Sequence, residues 1–164
     1  MPRAATGGPL GSRLASPEVP RVARSALPDG FFHVTARGNA REEIFRDGID
    51  YADFERELLR VRDEFAWTLH AYCLLPNHYH LIVQARRADL STGMHRLNAR
   101  YAQWFNDRYE RVGHVFQNRF SSYVIETDEH FERALAYVSA NPVAAGLCKH
   151  ADDWPWRGGP ADRD

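Results

Sequence analysis

His78 and His80 stand at positions i and i+2 in the run Pro76-Asn77-His78-Tyr79-His80-Leu81-Ile82-Val83. On a strand, residues so spaced leave the same face of the sheet, which sets the two imidazoles side by side. Neutral imidazoles in that arrangement can ligate one divalent cation. The same spacing also serves two ordinary strand histidines, one packed and one solvated. A second constellation lies further on. At about 100° per residue, His130, Arg133, Tyr137 and Asn141 share one helical stripe. Phe131, Leu135 and Val138 form the apolar stripe beside it. A tyrosine oxygen is a competent nucleophile toward phosphorus when a cation or guanidinium steadies the charge that develops on the phosphate. Asn141, one turn on, could complete a metal site or orient that phosphate. A helix tyrosine with its ring half buried gives the same pattern. A third stretch, Arg108–Arg119, mixes Arg, aromatic and amide side chains around Gly113-His114-Val115-Phe116-Gln117-Asn118-Arg119. Such mixtures hold single-stranded nucleic acid, with phosphates on Arg and bases stacked on rings. It could equally be a solvated loop whose Phe116 plugs the core.

The elements that must carry these residues follow from pattern. Phe31–Ala36 is dense in aromatic and β-branched residues and predicts a strand. Asp50 is placed to cap a helix over 51–64, with Phe54, Leu58, Val61 and Phe65 at helical spacing. Residues 66–75 and 78–85 predict a hairpin closed at Pro76-Asn77. A second helix is expected over 90–108, with Met94, Leu97, Tyr101, Trp104 and Phe105 on one face, then a fourth strand over 122–126. Asp128 is expected to cap a third helix over 129–140, with Pro142 near its end. This order is a split βαβ, ferredoxin-like α+β sandwich: four antiparallel strands, two helices on one face, and an added C-terminal helix that carries Tyr137. Residues 1–28 read as a flexible basic arm, 29–157 as one domain and 158–164 as a disordered tail. Trp154 and Trp156 are expected to pack back on the body.

Composition narrows the class. The chain has 164 residues, 44% hydrophobic and 26% charged, which suits one globular domain. It carries no apolar run long enough to span a bilayer, and residues 1–27 hold no signal-like apolar core, so a cytoplasmic location is expected. Two cysteines make no disulfide framework. There is no P-loop or GxGxxG, hence no nucleotide cofactor is expected, and no Ser or Cys is paired with a base. The formal net charge is −1, but its distribution is uneven. Lys149 is the single lysine, and Arg86–Arg119 holds seven arginines against three acidic residues. Arginine is the planar donor that suits phosphate, so a positive face toward nucleic acid is expected.

Taken in order, several stretches resemble the REP-associated tyrosine transposases within the HUH single-tyrosine superfamily. They are His33-Val34-Thr35-Ala36-Arg37-Gly38-Asn39, Leu74-Leu75-Pro76-Asn77-His78-Tyr79-His80-Leu81-Ile82-Val83, Gly113–Phe120 and Tyr137–Gly146. The resemblance implies a metal-dependent endonuclease and strand transferase acting on single-stranded DNA near hairpins. It implies that His78 and His80 bind Mg²⁺ or Mn²⁺, that Asn141 stands near the metal, and that Tyr137 is the nucleophile forming a 5′-phosphotyrosine. The DNA-contacting side chains expected with it are Arg37, Arg96, Arg100, Arg111, His114, Gln117, Arg119 and Arg133. A monomer is implied for this branch and a dimer for wider relatives. Ala144 stands where the resemblance implies a cation, which bears on DNA contact rather than on chemistry. Two other functions stay open on the residues: a catalytically retired hairpin-DNA-binding protein, and a small zinc hydrolase with His33 or His70 as a third ligand.

Overall fold

The computed structural model describes residues 29–159, so the expected arm at 1–28 and the end of the expected tail, 160–164, lie outside the described residues. The first strand, β1 (Gly30–Arg37), buries Phe32, Val34 and Ala36 on one face and turns His33 and Thr35 to the other. Helix α1 (Gly48–Glu64) follows. The hairpin strands β2 (Thr68–Leu75) and β3 (His78–Ala85) meet at Pro76-Asn77, as the turn residues require. Helix α2 (Arg87–Arg108), strand β4 (Ser121–Ile125) and helix α3 (Asp128–Ala144) complete the expected order. The sheet runs β4-β1-β3-β2 with antiparallel pairing throughout, the ferredoxin-like order.

Three expectations need correction. The sheet has five strands rather than four, because β5 (Arg157–Gly158) pairs with Tyr72 and Cys73 at the β2 edge. Gly158 therefore belongs to the fold and not to the tail; a Cβ there would come within 2.7 Å of the Tyr72 ring. Asp47, not Asp50, caps α1, accepting from the N–H groups of Ile49 and Asp50 at 3.0 and 3.1 Å. Asp50 is fully buried instead, where it accepts from Arg108, the Tyr109 hydroxyl and the Arg46 backbone. Thr127, not Asp128, caps α3 by accepting from His130 N–H, and the helix runs through Pro142 to Ala144. Pro142 sits in the last turn, where its missing N–H removes a single helix bond.

The core has two parts. Phe32, Val34, Leu81 and Val83 from the sheet meet Phe54, Leu58, Leu97, Tyr101 and Phe105 under α1 and α2. Ala71, Cys73, Ile82 and Ile125 form the smaller cluster on the opposite face, against Ala134 and Val138 of α3. The alternation of β3 therefore divides its residues. Tyr79, Leu81 and Val83 point to the α1–α2 layer, with the Tyr79 hydroxyl donating to Asn98 at 2.6 Å. His78, His80 and Ile82 point to the α3 layer. Trp154 donates to the Leu74 carbonyl at 2.8 Å and Trp156 stacks on Tyr51, so the C-terminal segment packs on the body as expected.

Candidate active site

The β1–β3 register sets Thr35 opposite His80 and Arg37 opposite His78, with His33 two residues back on the same face. His33 Nε2 and His80 Nδ1 lie 2.9 Å apart in a hydrogen bond. His78 and His80 have ring centroids 5.0 Å apart. Helix α3 lays Tyr137 over them, its ring 5.5 Å from that of His80 and 5.8 Å from that of His33. The apolar stripe of α3, through Ala134 and Val138, fixes this pose, and Tyr137 remains 55% exposed. A nucleophile needs that combination: a fixed backbone and an open hydroxyl.

Burial sets the protonation of the histidines. His80 is pushed down to about 3, first by desolvation and then by its neighbours His33, His78 and Arg37. His33 and His78 are also lowered, chiefly by burial, with His130 and Arg37 respectively adding repulsion. All three are neutral at pH 7, the form in which imidazole ligates a cation.

The donor set fits a divalent cation. His80 Nε2 is buried with no hydrogen-bond partner. Asn77 Oδ1 lies 2.8 Å from His78 Nδ1, which occupies that nitrogen and leaves Nε2 open to a ligand. Asn77 Nδ2 in turn donates to the Arg41 carbonyl, so the turn itself orients His78. Among the described residues no group of three or more His, Cys, Asp or Glu side chains could hold a metal. Two imidazoles leave the remaining positions to amide, water or phosphate oxygen, which suits Mg²⁺ or Mn²⁺ better than a closed zinc site. The two histidines considered as third zinc ligands are otherwise engaged, His33 with His80 and His70 with Gln84 at 3.2 Å.

The other expected residues divide. Asn141 is one turn beyond Tyr137, with its Nδ2 donating to the Tyr137 carbonyl at 2.9 Å. Arg37 is exposed beside His78. The loop bearing His114, Gln117 and Arg119 is stitched to the end of β1, with Asn39 N–H donating to Val115 and Gln117 N–H to Arg37, both carbonyls. All three of those side chains are exposed. Arg133 is exposed on α3 one turn before Tyr137. Arg96 and Arg100, in contrast, belong to the α1–α2 layer, where Arg96 pairs with Glu64 and Arg100 lies 3.8 and 3.7 Å from Glu57 and Glu64. Arg111 pairs with Glu42 at 2.8 Å. The structure thus does not bring Arg96 and Arg100 to the histidines.

The structure adds three neighbours to the site, of which the sequence offers only His33, as a third zinc ligand. His33 was visible as a strand histidine, but its partner depends on register, which sequence alone does not give. Asn77 reads from sequence as a turn residue only. Tyr123, 52% exposed, comes next to His33 across the β1–β4 pairing, with ring centroids 6.3 Å apart.

Residues 28–141 match the family described as "Transposase IS200 like". The chain is 28% identical over 116 residues to a Haemophilus influenzae protein provisionally named a REP-associated tyrosine transposase, a match covering 63% of this chain and 65% of that protein. It is 24% identical over 128 residues to the REP-associated tyrosine transposase of Escherichia coli, covering 77% and 73% of the two chains. The chain thus spans about two thirds to three quarters of these relatives' length. A solved REP-associated tyrosine transposase bound to a REP hairpin superposes with a TM-score of 0.66 at 21% identity, covering 80% of this chain and 77% of that one. That likeness concerns the fold.

Proposed function

The chain belongs to the IS200-like transposase family, and from that premise we propose that it nicks and rejoins single-stranded DNA beside a hairpin. Tyr137 is the nucleophile in this reading. Its hydroxyl oxygen attacks the scissile phosphorus, the bond from phosphorus to the 3′-oxygen breaks, and a 5′-phosphotyrosine forms. The phenolic proton passes to solvent and the departing 3′-oxygen takes one up. Attack by another 3′-hydroxyl reverses the step and joins strands, because the phosphodiester bond energy is kept in the link to Tyr137.

His78 and His80 would hold Mg²⁺ or Mn²⁺, with Asn141 contributing its amide oxygen. When bound, the cation polarises the phosphate and stabilises the charge on its oxygens. The protein's own part is positioning. Helix α3 holds Tyr137 against the histidine rings while β3 and Asn77 hold the histidines. Arg37 and Arg133 flank the pair and the tyrosine, where phosphate charge would sit. The loop with His114, Gln117 and Arg119, together with the exposed ring of Tyr123, offers a track for the unpaired strand. The single observation that carries this reading is the 5.5 Å approach of the Tyr137 and His80 rings across the helix–sheet interface. These residues are 57 positions apart in sequence and come from the two motifs with separate chemical roles.

The test is a denaturing gel of the protein with labelled hairpin DNAs bearing single-stranded flanks, in Mg²⁺, Mn²⁺ or EDTA. A covalent protein–DNA adduct is expected with either metal and not with EDTA. Binding of the same hairpins without any adduct would instead favour the retired, DNA-binding reading.

A further inference from the structure

We propose that His33 is a positioning residue that fixes His80 in its Nδ1–H tautomer and so presents the Nε2 lone pair to the site; the purpose of this contact rests on the metal reading above.

The argument starts from the two nitrogens of His80. Nδ1 lies 2.9 Å from His33 Nε2, and Nε2 is buried without a partner. A neutral imidazole carries one N–H and one lone pair. Were the proton on Nε2, an N–H donor would be buried with nothing to receive it, a group native interiors rarely leave orphaned. With the proton on Nδ1, that N–H donates to His33 Nε2, and the buried orphan is a lone pair awaiting a cation. Ligating histidines ordinarily donate their second N–H to a carboxylate, carbonyl or water. Here an imidazole from the neighbouring strand takes that place. Phe32 and Val34, buried on either side of His33, lock β1 beneath it. The His33 ring also lies 5.8 Å from Tyr137 and 6.3 Å from Tyr123, so one side chain touches the proposed ligand and the proposed nucleophile.

Two substitutions separate hydrogen bonding from packing. His33→Phe keeps a ring against Tyr137 and removes the acceptor. His33→Gln removes the ring and offers an amide oxygen at about the reach of Nε2. The first readout needs no metal: histidine nitrogen and carbon chemical shifts in the metal-free protein report the tautomer of His80. Nδ1–H is expected in the wild type and in His33→Gln, and its loss in His33→Phe. The second readout is Mn²⁺ affinity by calorimetry. His33→Phe should weaken it by about 10–100-fold, the usual effect of removing a ligand's supporting partner, while His33→Gln stays within a few-fold of wild type. An Nε2–H tautomer in the wild type, or an unchanged tautomer in His33→Phe, would overturn the proposal. So would the reverse order, with Phe harmless and Gln damaging, since that is the signature of packing alone. His80→Ala separates the two levels: Mn²⁺ binding unchanged by that substitution would defeat the metal reading, whereas the tautomer result stands or falls without it.

Discussion

The rings of Tyr137 and His80 meet at 90° with centroids 5.5 Å apart, one delivered by α3 and the other by the central strand β3. The contact leaves the phenol 55% exposed while His80 is only 6% exposed. Removing the hydroxyl should therefore affect chemistry without affecting the fold. Tyr137→Phe is expected to abolish the covalent adduct and to keep hairpin binding, with unfolding free energy within about 0.5 kcal/mol of wild type, as for other exposed surface changes. Adduct formation by Tyr137→Phe on a denaturing gel would remove Tyr137 from the role.

His78 and His80 should differ when replaced. His78 is half-buried and oriented by the amide of Asn77, whereas His80 is buried between Cys73 and Thr35 in the sheet. Both alanine variants are expected to lose Mn²⁺ binding by at least about tenfold, since each removes one of the two imidazoles proposed as ligands. His80→Ala should in addition lower stability by about 1–3 kcal/mol, because it opens a cavity in the interior. Calorimetry with Mn²⁺ and urea unfolding of both variants check the two halves. Equal stability loss in the two would show that the sheet collapses around position 80.

Arg37 and Arg96 provide a paired test of the DNA surface. Arg37 is exposed opposite His78, close enough to depress the histidine's proton affinity. Arg96 is on α2, paired with Glu64 on the other side of the sheet. Arg37→Ala should weaken hairpin binding at all sequences and reduce the slope of log K against log salt by about 1. Arg96→Ala should leave that slope unchanged. A salt titration of binding by fluorescence anisotropy reads both, and equal slopes for the two variants would place the DNA elsewhere.

What could be read from sequence follows the range of the interaction. The bounds of β3 are as expected, because the histidine run alternates and Pro76-Asn77 punctuates it. The ferredoxin-like order is legible for the same local reason. The caps are not. Asp47 and Asp50 are chemically alike and both receive Arg108 from the end of a different helix; they differ in that Asp50 is buried, where it also takes the Tyr109 hydroxyl and the Arg46 N–H. His33 is similar: its value lies in a register that pairs residues 47 positions from one another. The two-residue strand β5 has no periodicity to detect, and it exists because Tyr72 and Cys73 offer it an edge. Arg96 and Arg100 belong to a basic stretch along the chain, but the fold pairs them with acids of α1.

Acid should expose the cost of the α1 cap. The Asp47 carboxyl is held down to about 2 from an ordinary 3.8, first by its hydrogen bond from Arg108 and also by the N–H groups of Asp50 and Ile49. Its folded-state affinity for a proton is thus below its unfolded one. The contribution is fully present above the ordinary value and is lost as pH falls toward about 2. The melting temperature of the wild type should therefore drop more steeply from about pH 4 to about pH 2 than that of Asp47→Asn, which retains a cap oxygen but no charge. Parallel curves for the two proteins would assign the acid sensitivity to other carboxylates.

Gly93 tests how tightly α2 is seated on the sheet. It is buried inside the helix, and a Cβ there would lie 2.4 Å from Trp67 Cζ2 and 3.1 Å from Phe65 Cδ2. Replacing a helical glycine by alanine ordinarily stabilises by about 1 kcal/mol, because alanine has less backbone freedom to lose. Here the methyl must displace the buried ring of Trp67, and overpacking of a filled interior costs about 1–3 kcal/mol. The second effect should win, since Trp67 is 5% exposed and so has little room to swing outward. Gly93→Ala is therefore expected to lower the urea midpoint, and Gly93→Val to lower it further. Because the strain falls in the α1–α2 layer while the histidines and Tyr137 are on the opposite face, adduct formation should persist wherever the variant is folded. A stabilised Gly93→Ala protein would mean that helix propensity outweighs the clash and that the Trp67 ring can yield.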